Sequence, residues 1–193
     1  MENPKRSLIN KSLEDGLILG GVIVFINFIS YLIIDLESIS FMALMSVGVI
    51  VGILPLIIGL VYFIKKYKKV ELGGVITLNQ GIKYGVLVTF IVALFSCVYN
   101  ITFNNFIAPD YVKESQEIIA EKTIGFMQDM NVPDEAIEET LNKLEEERES
   151  TIKKSKFVSP ILSIPGTVVI GLIISLIISA IIKTKKPPFS EVV

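Results

Sequence analysis

Asn27, Asn100, Asn104 and Asn105, together with Tyr31, Tyr99 and Cys97, are the polar exceptions in long stretches of aliphatic and aromatic residues, so any chemistry within those stretches falls to them. Carboxamides and phenols bind by hydrogen bonds and carry no charge at neutral pH. Asn27, Asn100 and Asn104 are therefore candidates for a small polar pocket, the plainer alternative being hydrogen bonds between helices. Cys97 has no cation nearby in sequence and reads as an inert thiol. The chain has no His and one Cys, which excludes a His-based metal site, a Cys–His nucleophile pair and an internal disulfide. Glu145-Glu146-Glu147 is a consecutive run that fans around a helix and lacks calcium-loop spacing, so it reads as a solvated face. Neither a glycine-rich phosphate loop nor a catalytic dyad is present. No cofactor, metal or nucleic acid is expected, and the reading is non-enzymatic.

The stretches that carry these residues are Gly16–Ile34, Ile39–Ile64, Tyr84–Ala108 and Phe157–Ile182, with 19, 26, 25 and 26 residues and no Asp, Glu, Lys or Arg. About 20 apolar residues of helix cross a bilayer. A hydrophobic content of 51% and a mean hydropathy of +0.64 also exceed what a water-facing surface allows. The expected fold is an all-α membrane protein, a single domain over 1–193 with spans at about 13–34, 39–64, 78–108 and 157–182. The absence of acids and bases from the runs disfavours ion coupling, since a charge in lipid is retained only for function. The first run follows Lys5, Arg6 and Lys11 but offers no small-x-small cleavage site, so it reads as an uncleaved span.

Lysine and arginine orient the spans, because loops rich in them stay in the cytoplasm. The N-terminal arm, the segment between spans two and three (Lys65, Lys66, Lys68, Lys69, Lys83) and the C-terminal tail (Lys183, Lys185, Lys186) hold 11 of them. The short connection Asp35–Ser38 holds none. Both termini are thus expected in the cytoplasm, with residues 109–156 outside. That outer segment carries 13 acids against seven bases, a net charge of −6. Val112, Ile119, Phe126 and Met130 recur at helical spacing, and so do Ile137, Leu141, Leu144, Arg148 and Ile152 beyond a turn at Asn131–Pro133. Glu139/Lys143 and Glu149/Lys153 stand as i,i+4 pairs. The segment is expected to form an extracytoplasmic amphipathic helical hairpin over 110–155, between spans three and four.

Start and stop signals complete the pattern. Asn3-Pro4, and Ser12 with Asp15 three residues on, read as helix starts ahead of span one. Pro55 predicts a kink near Ile50–Leu54, Gly73-Gly74 a break, and Thr77 with Gln80 a capping box opening span three. Small residues recur every fourth position: Gly81, Gly85, Thr89, Ala93 and Cys97 in span three, and Ser159, Ser163, Thr167, Gly171, Ser175 and Ser179 in span four. Gly16/Gly20 and Gly48/Gly52 repeat the spacing in spans one and two. In lipid such ladders mark faces where helix backbones approach closely. Packing within one bundle is the expectation, and a homodimer contact the alternative.

Met1-Glu2-Asn3 leading into Lys11-Ser12-Leu13-Glu14-Asp15-Gly16, the stretch Gly81-Ile82-Lys83-Tyr84-Gly85, and Ile107-Ala108-Pro109-Asp110-Tyr111 resemble the DUF4199 family of uncharacterised four-pass membrane proteins of Bacteroidota. The resemblance covers nearly the whole chain. It implies a multi-pass protein of the bacterial inner membrane and brings no activity or site residues. Beyond the lipid bilayer, the expected partner is an extracytoplasmic protein or a second copy, met by the acidic hairpin in an accessory or scaffold role. The alternative is a small oligomeric transporter or channel for a neutral or lipid-like solute.

Overall fold

The computed structural model describes residues 7–153 and 157–184, and the Asn3-Pro4 signal lies outside them. Four helices are long and apolar enough to cross a membrane: α1 (Leu8–Ile33), α2 (Phe41–Val70), α3 (Leu78–Ile107) and, last in the chain, α6 (Val158–Ile182). Between α3 and α6 stand α4 (Tyr111–Asp129) and α5 (Asp134–Lys153). Phe25, Ile33, Val98 and Ile181 are each more than 60% exposed, apolar surface that only lipid tails cover comfortably.

Helix α1 starts earlier than the sequence suggests. Ser7 caps it by accepting from the Asn10 amide at 3.2 Å, so Ser12 and Asp15 are interior residues and not a start signal. The reason is local: once Ser7 supplies the cap, the Ser12 hydroxyl turns back to the Leu8 carbonyl at 2.7 Å. At the far end of α2, Lys65–Lys69 stay helical to Val70, six residues beyond the expected end. In the stretch before Pro55 where a kink is expected, a wider π turn occupies Val49–Ile53. A second π turn, Phe103–Ile107, ends α3 just before Pro109, with the Ala108 amide bonded to the Phe103 carbonyl at 2.9 Å.

Gly73 (φ 61°) and Gly74 (φ 89°) take the left-handed conformations that turn α2 into α3. Thr77 and Gln80 then form the reciprocal box: the Gln80 amide donates to Thr77 Oγ1 at 3.3 Å and the Thr77 amide to Gln80 Oε1 at 3.0 Å. Asn131 (φ 54°) makes the turn between α4 and α5, and Glu117 and Arg148 meet across the pair at 3.4 Å. The exposed pair Glu139/Lys143 closes at 2.6 Å, while the Lys153 side chain lies outside the described residues.

Helix α3 is the spine of the bundle, packed along α6 on one side and α1 on the other. Gly81 faces Ser179, Gly85 faces Ser175, and Gly171 of α6 faces Thr89, so the two ladders interlock. On α1, a Cβ at Gly16 would stand 2.7 Å from Ile91 Cβ, and one at Gly20 would stand 3.1 Å from Phe95 Cβ. Gly59 of α2 likewise leaves room for Leu19. Gly48 and Gly52 depart from the ladder expectation, with nothing within 4 Å of where a Cβ would be. They lie in and beside the π turn, on a side of α2 that is exposed. Ser163 and Thr167 bond back to their own helix, at the Pro160 and Ser163 carbonyls. Pro165, inside α6, removes a further backbone bond in the same half of the bundle.

Candidate functional site

The two ends of the bundle carry different polar constructions. At the lysine end, Lys11 and Asp15 lie one helical turn apart on α1, and both are buried, Asp15 completely. Lys11 Nζ donates to Asp15 Oδ1 at 3.1 Å and pairs with Glu14 Oε1 at 3.2 Å. Lys66 of α2 places its Nζ 3.6 Å from the same Oδ1. The hydroxyl of Tyr84 on α3, fully buried, donates to Asp15 Oδ2. Tyr67 stacks on Tyr84 with ring centroids 4.1 Å apart and planes 7° from parallel. One carboxylate is thus met by three helices, and both its oxygens are satisfied. An acid so occupied ties three helices together.

This cluster corrects the sequence expectation that no acid is drawn into the bundle. Asp15 precedes the first uncharged run by one residue, which made it look like part of the helix start. The signal was nonetheless available: Gly20, Gly16 and Ser12 run back along one face at steps of four, and Asp15, Leu19 and Ile23 run beside them, all buried. Extending the ladder toward the N-terminus leads to the carboxylate. The same end is closed by Lys68, whose Nζ donates to the last carbonyl of α6, Ile182, at 2.8 Å. Thr184 and Ile76 exchange two further bonds, at 2.9 and 3.2 Å.

At the opposite end, called here the pair end, α4 is fastened over the bundle. Lys122 Nζ donates to the Glu37 and Ile39 carbonyls at 2.9 and 2.6 Å, and Phe126 stacks on Phe41 at 4.7 Å. Tyr111, at the start of α4, meets Tyr31 edge-on at 5.1 Å, and Phe103 stands beside both. Burial, with Tyr31 adjacent, raises the Tyr111 phenol above its usual pKa.

Beneath this cover the bundle opens into crevices, which together form a hollow at Asn27. Asn27 borders three cavities of about 170, 190 and 210 Å³. The first brings Asn27, Asn100 and Asn104 together with Tyr31, Tyr99 and Tyr111. The second reaches Gly48 and Gly52, and the third descends to Leu56 and Val92. The asparagines do not bridge helices as the plainer reading expected: Nδ2 of Asn27 donates to Ile23 O and that of Asn100 to Ser96 O, both at 2.8 Å on their own helix. Each carboxamide oxygen is left as an acceptor. Among the described residues no three His, Cys, Asp or Glu side chains gather as a metal site would require.

A family of proteins of unknown function, DUF4199, matches residues 14–184, a stretch that takes in the buried cluster from Glu14 onward, the hollow and the α4–α5 pair. The chain belongs to the DUF4199 family. Its membership accords with four apolar helices and assigns no chemistry. No curated protein and no solved structure matches this DUF4199 chain.

Proposed function

We propose that the protein is a non-enzymatic accessory or scaffold component of a bacterial inner membrane, with both termini in the cytoplasm and the α4–α5 pair outside, where α5 docks a partner. The lysine distribution supports the orientation. The observation that carries the docking role is the unequal attachment of the two helices. Helix α4 is bound to the bundle through Lys122, Phe126 and Tyr111, whereas α5 packs chiefly on α4 and leaves Glu138, Glu139, Glu145, Glu146 and Glu147 exposed. A charged helix held out on a rigid base is a recognition element in form.

Two experiments test this reading. An enzyme active only outside the cytoplasm, fused after Asn131, should be active, and after Gly73 inactive; the reverse overturns the orientation. Replacing the five α5 glutamates by glutamine should abolish the complexes cross-linked in native membranes while the protein remains inserted. Unchanged complexes would remove the docking role. A second reading, an oligomeric transporter or channel for a neutral solute, is favoured by the hollow around Asn27. Flux into proteoliposomes should then exceed that of an Asn27→Leu, Asn100→Leu variant, and equal flux would end it.

A further inference from the structure

We propose that the hollow at Asn27 is a binding site for a neutral polyhydroxylated ring, a hexose, either free or as the headgroup of a glycolipid. The inference stands apart from the docking role of α5. It deepens the solute reading only by naming the chemistry, so binding without flux would leave it intact while removing transport.

Charge selects the class first. Among the described residues no charged side chain borders any of the three cavities, so an ionic ligand would enter a low-dielectric space without a counter-charge. Hydrogen-bonding capacity narrows it. Tyr31, Tyr99 and Tyr111 border the first cavity with phenols that can donate, and the oxygens of Asn27 and Asn100 can accept, while each amide nitrogen gives one of its two hydrogens to its own helix. A carbonyl ligand, which only accepts, would leave the carboxamide oxygens unpaired. A ligand that only donates would waste the phenols. Hydroxyl groups do both, and vicinal hydroxyls suit adjacent donors and acceptors.

The walls fit the faces of such a ring. Tyr31, Phe103 and Tyr111 form an edge-to-face cluster with centroids 4.9 to 5.6 Å apart, giving an aromatic surface beside the carboxamides. A hexose presents C–H faces to aromatic rings and hydroxyls at its rim. Each cavity alone falls below the roughly 300 Å³ at which ligand pockets begin, but all three meet at Asn27. Gly48 and Gly52, which border the second cavity, are exposed on α2 toward the surrounding lipid. A lipid-linked sugar could leave its tails there in the bilayer.

The chain has no Trp and six Tyr, so tyrosine emission reports directly on a site that three of the six border. The full chain in phosphatidylcholine nanodiscs would be titrated with methyl glucoside, and in a parallel arm the discs would carry increasing monoglucosyl diacylglycerol. A saturable emission change is expected in at least one arm, and the responding arm distinguishes free sugar from headgroup. Asn27→Leu and Tyr111→Phe should each weaken it by about tenfold or more. Tyr62→Phe, on the lipid-facing side of α2, should not alter it. If Asn27→Leu fails to fold, Asn100→Leu at an exposed position takes its place. No saturable response in either arm, an undiminished response in the Asn variants, or an equal response to a quinone would overturn the proposal.

Discussion

The lysine end and the pair end of one bundle use the same residue types to opposite effect. At the lysine end, glycines meet serines and threonine across α3 and α6, and Leu60, Ile64, Tyr84, Val88 and Thr89 have no exposure at all. At the pair end Gly48 and Gly52, spaced just like Gly81 and Gly85, meet no described residue, and Asn27 borders a crevice. A small residue is therefore permission for close approach and does not compel it. What the lysine end has in addition is a polar tie on another face of α3, a carboxylate that joins α1 to α2 and α3. In lipid, where burying Leu against Leu gains little, such polar ties and backbone contacts decide which half closes.

The contrast breaks most severely at Asp15. Asp15→Ala leaves Lys11 and Lys66 without their shared partner, and the expected cost is about 3–5 kcal/mol, seen as a fall in thermal unfolding temperature in detergent. A Lys11→Met, Asp15→Leu double variant should recover part of that loss, and a cost well below about 1 kcal/mol for Asp15→Ala would show the cluster to be incidental. Next in size is Gly85→Val, which drives a branched side chain into Ser175 and should cost about 1–3 kcal/mol by the same measurement. Gly48→Ala is its counterpart at the pair end. Its effect should stay within about 0.5 kcal/mol, and a large loss there would erase the distinction between the halves.

Smaller effects sharpen the pair end alone. Lys122→Met removes two bonds to backbone carbonyls and should raise hydrogen exchange across 111–129 without shifting the unfolding of the lysine end. The Tyr111 phenol is raised by burial, so the fold favours its neutral form. That contribution is whole below the ordinary phenol pKa near 10 and is lost as pH climbs through the raised value. Docking of α4 should therefore loosen only in strong alkali, and Tyr111→Phe should abolish this alkaline step. Smallest is the exposed Glu139/Lys143 pair, whose carboxylate pKa is lowered by the ammonium. Its contribution fades as pH falls through the lowered value, and Glu139→Gln should leave unfolding unchanged.

Much of this was legible in the chain. Four uncharged runs gave the long helices because length and apolarity alone decide that question in lipid. Thr77 with Gln80, Gly73-Gly74 and the turn at Asn131 act locally, so their effects follow from their neighbours. The interlock of Gly81 and Gly85 with Ser179 and Ser175 also announced itself through spacing. What spacing does not contain is the partner: nothing within Gly48–Gly52 says that no helix packs against it. Asp15 was misjudged because a charge at the edge of an apolar run serves equally well as a cap or as a buried tie, and Lys66 and Tyr84 are far away in sequence. Of the two readings of the asparagines, bonds between helices are not what Asn27 and Asn100 make, since a helix offers its own carbonyl four residues back before any neighbour arrives.

The seam between α3 and α6 also has a consequence for synthesis. Gly81, Gly85 and Thr89 are made and inserted long before Gly171, Ser175 and Ser179 exist, so for that interval α3 shows lipid a notched surface that tails fill poorly. Arrival of the last helix fills the notches, and Lys68 then caps Ile182 while Thr184 clasps Ile76. Closure of this seam therefore waits on the final segment, and a chain arrested before Val158 would leave the Gly81, Gly85 and Thr89 face of α3 without the residues that fill it.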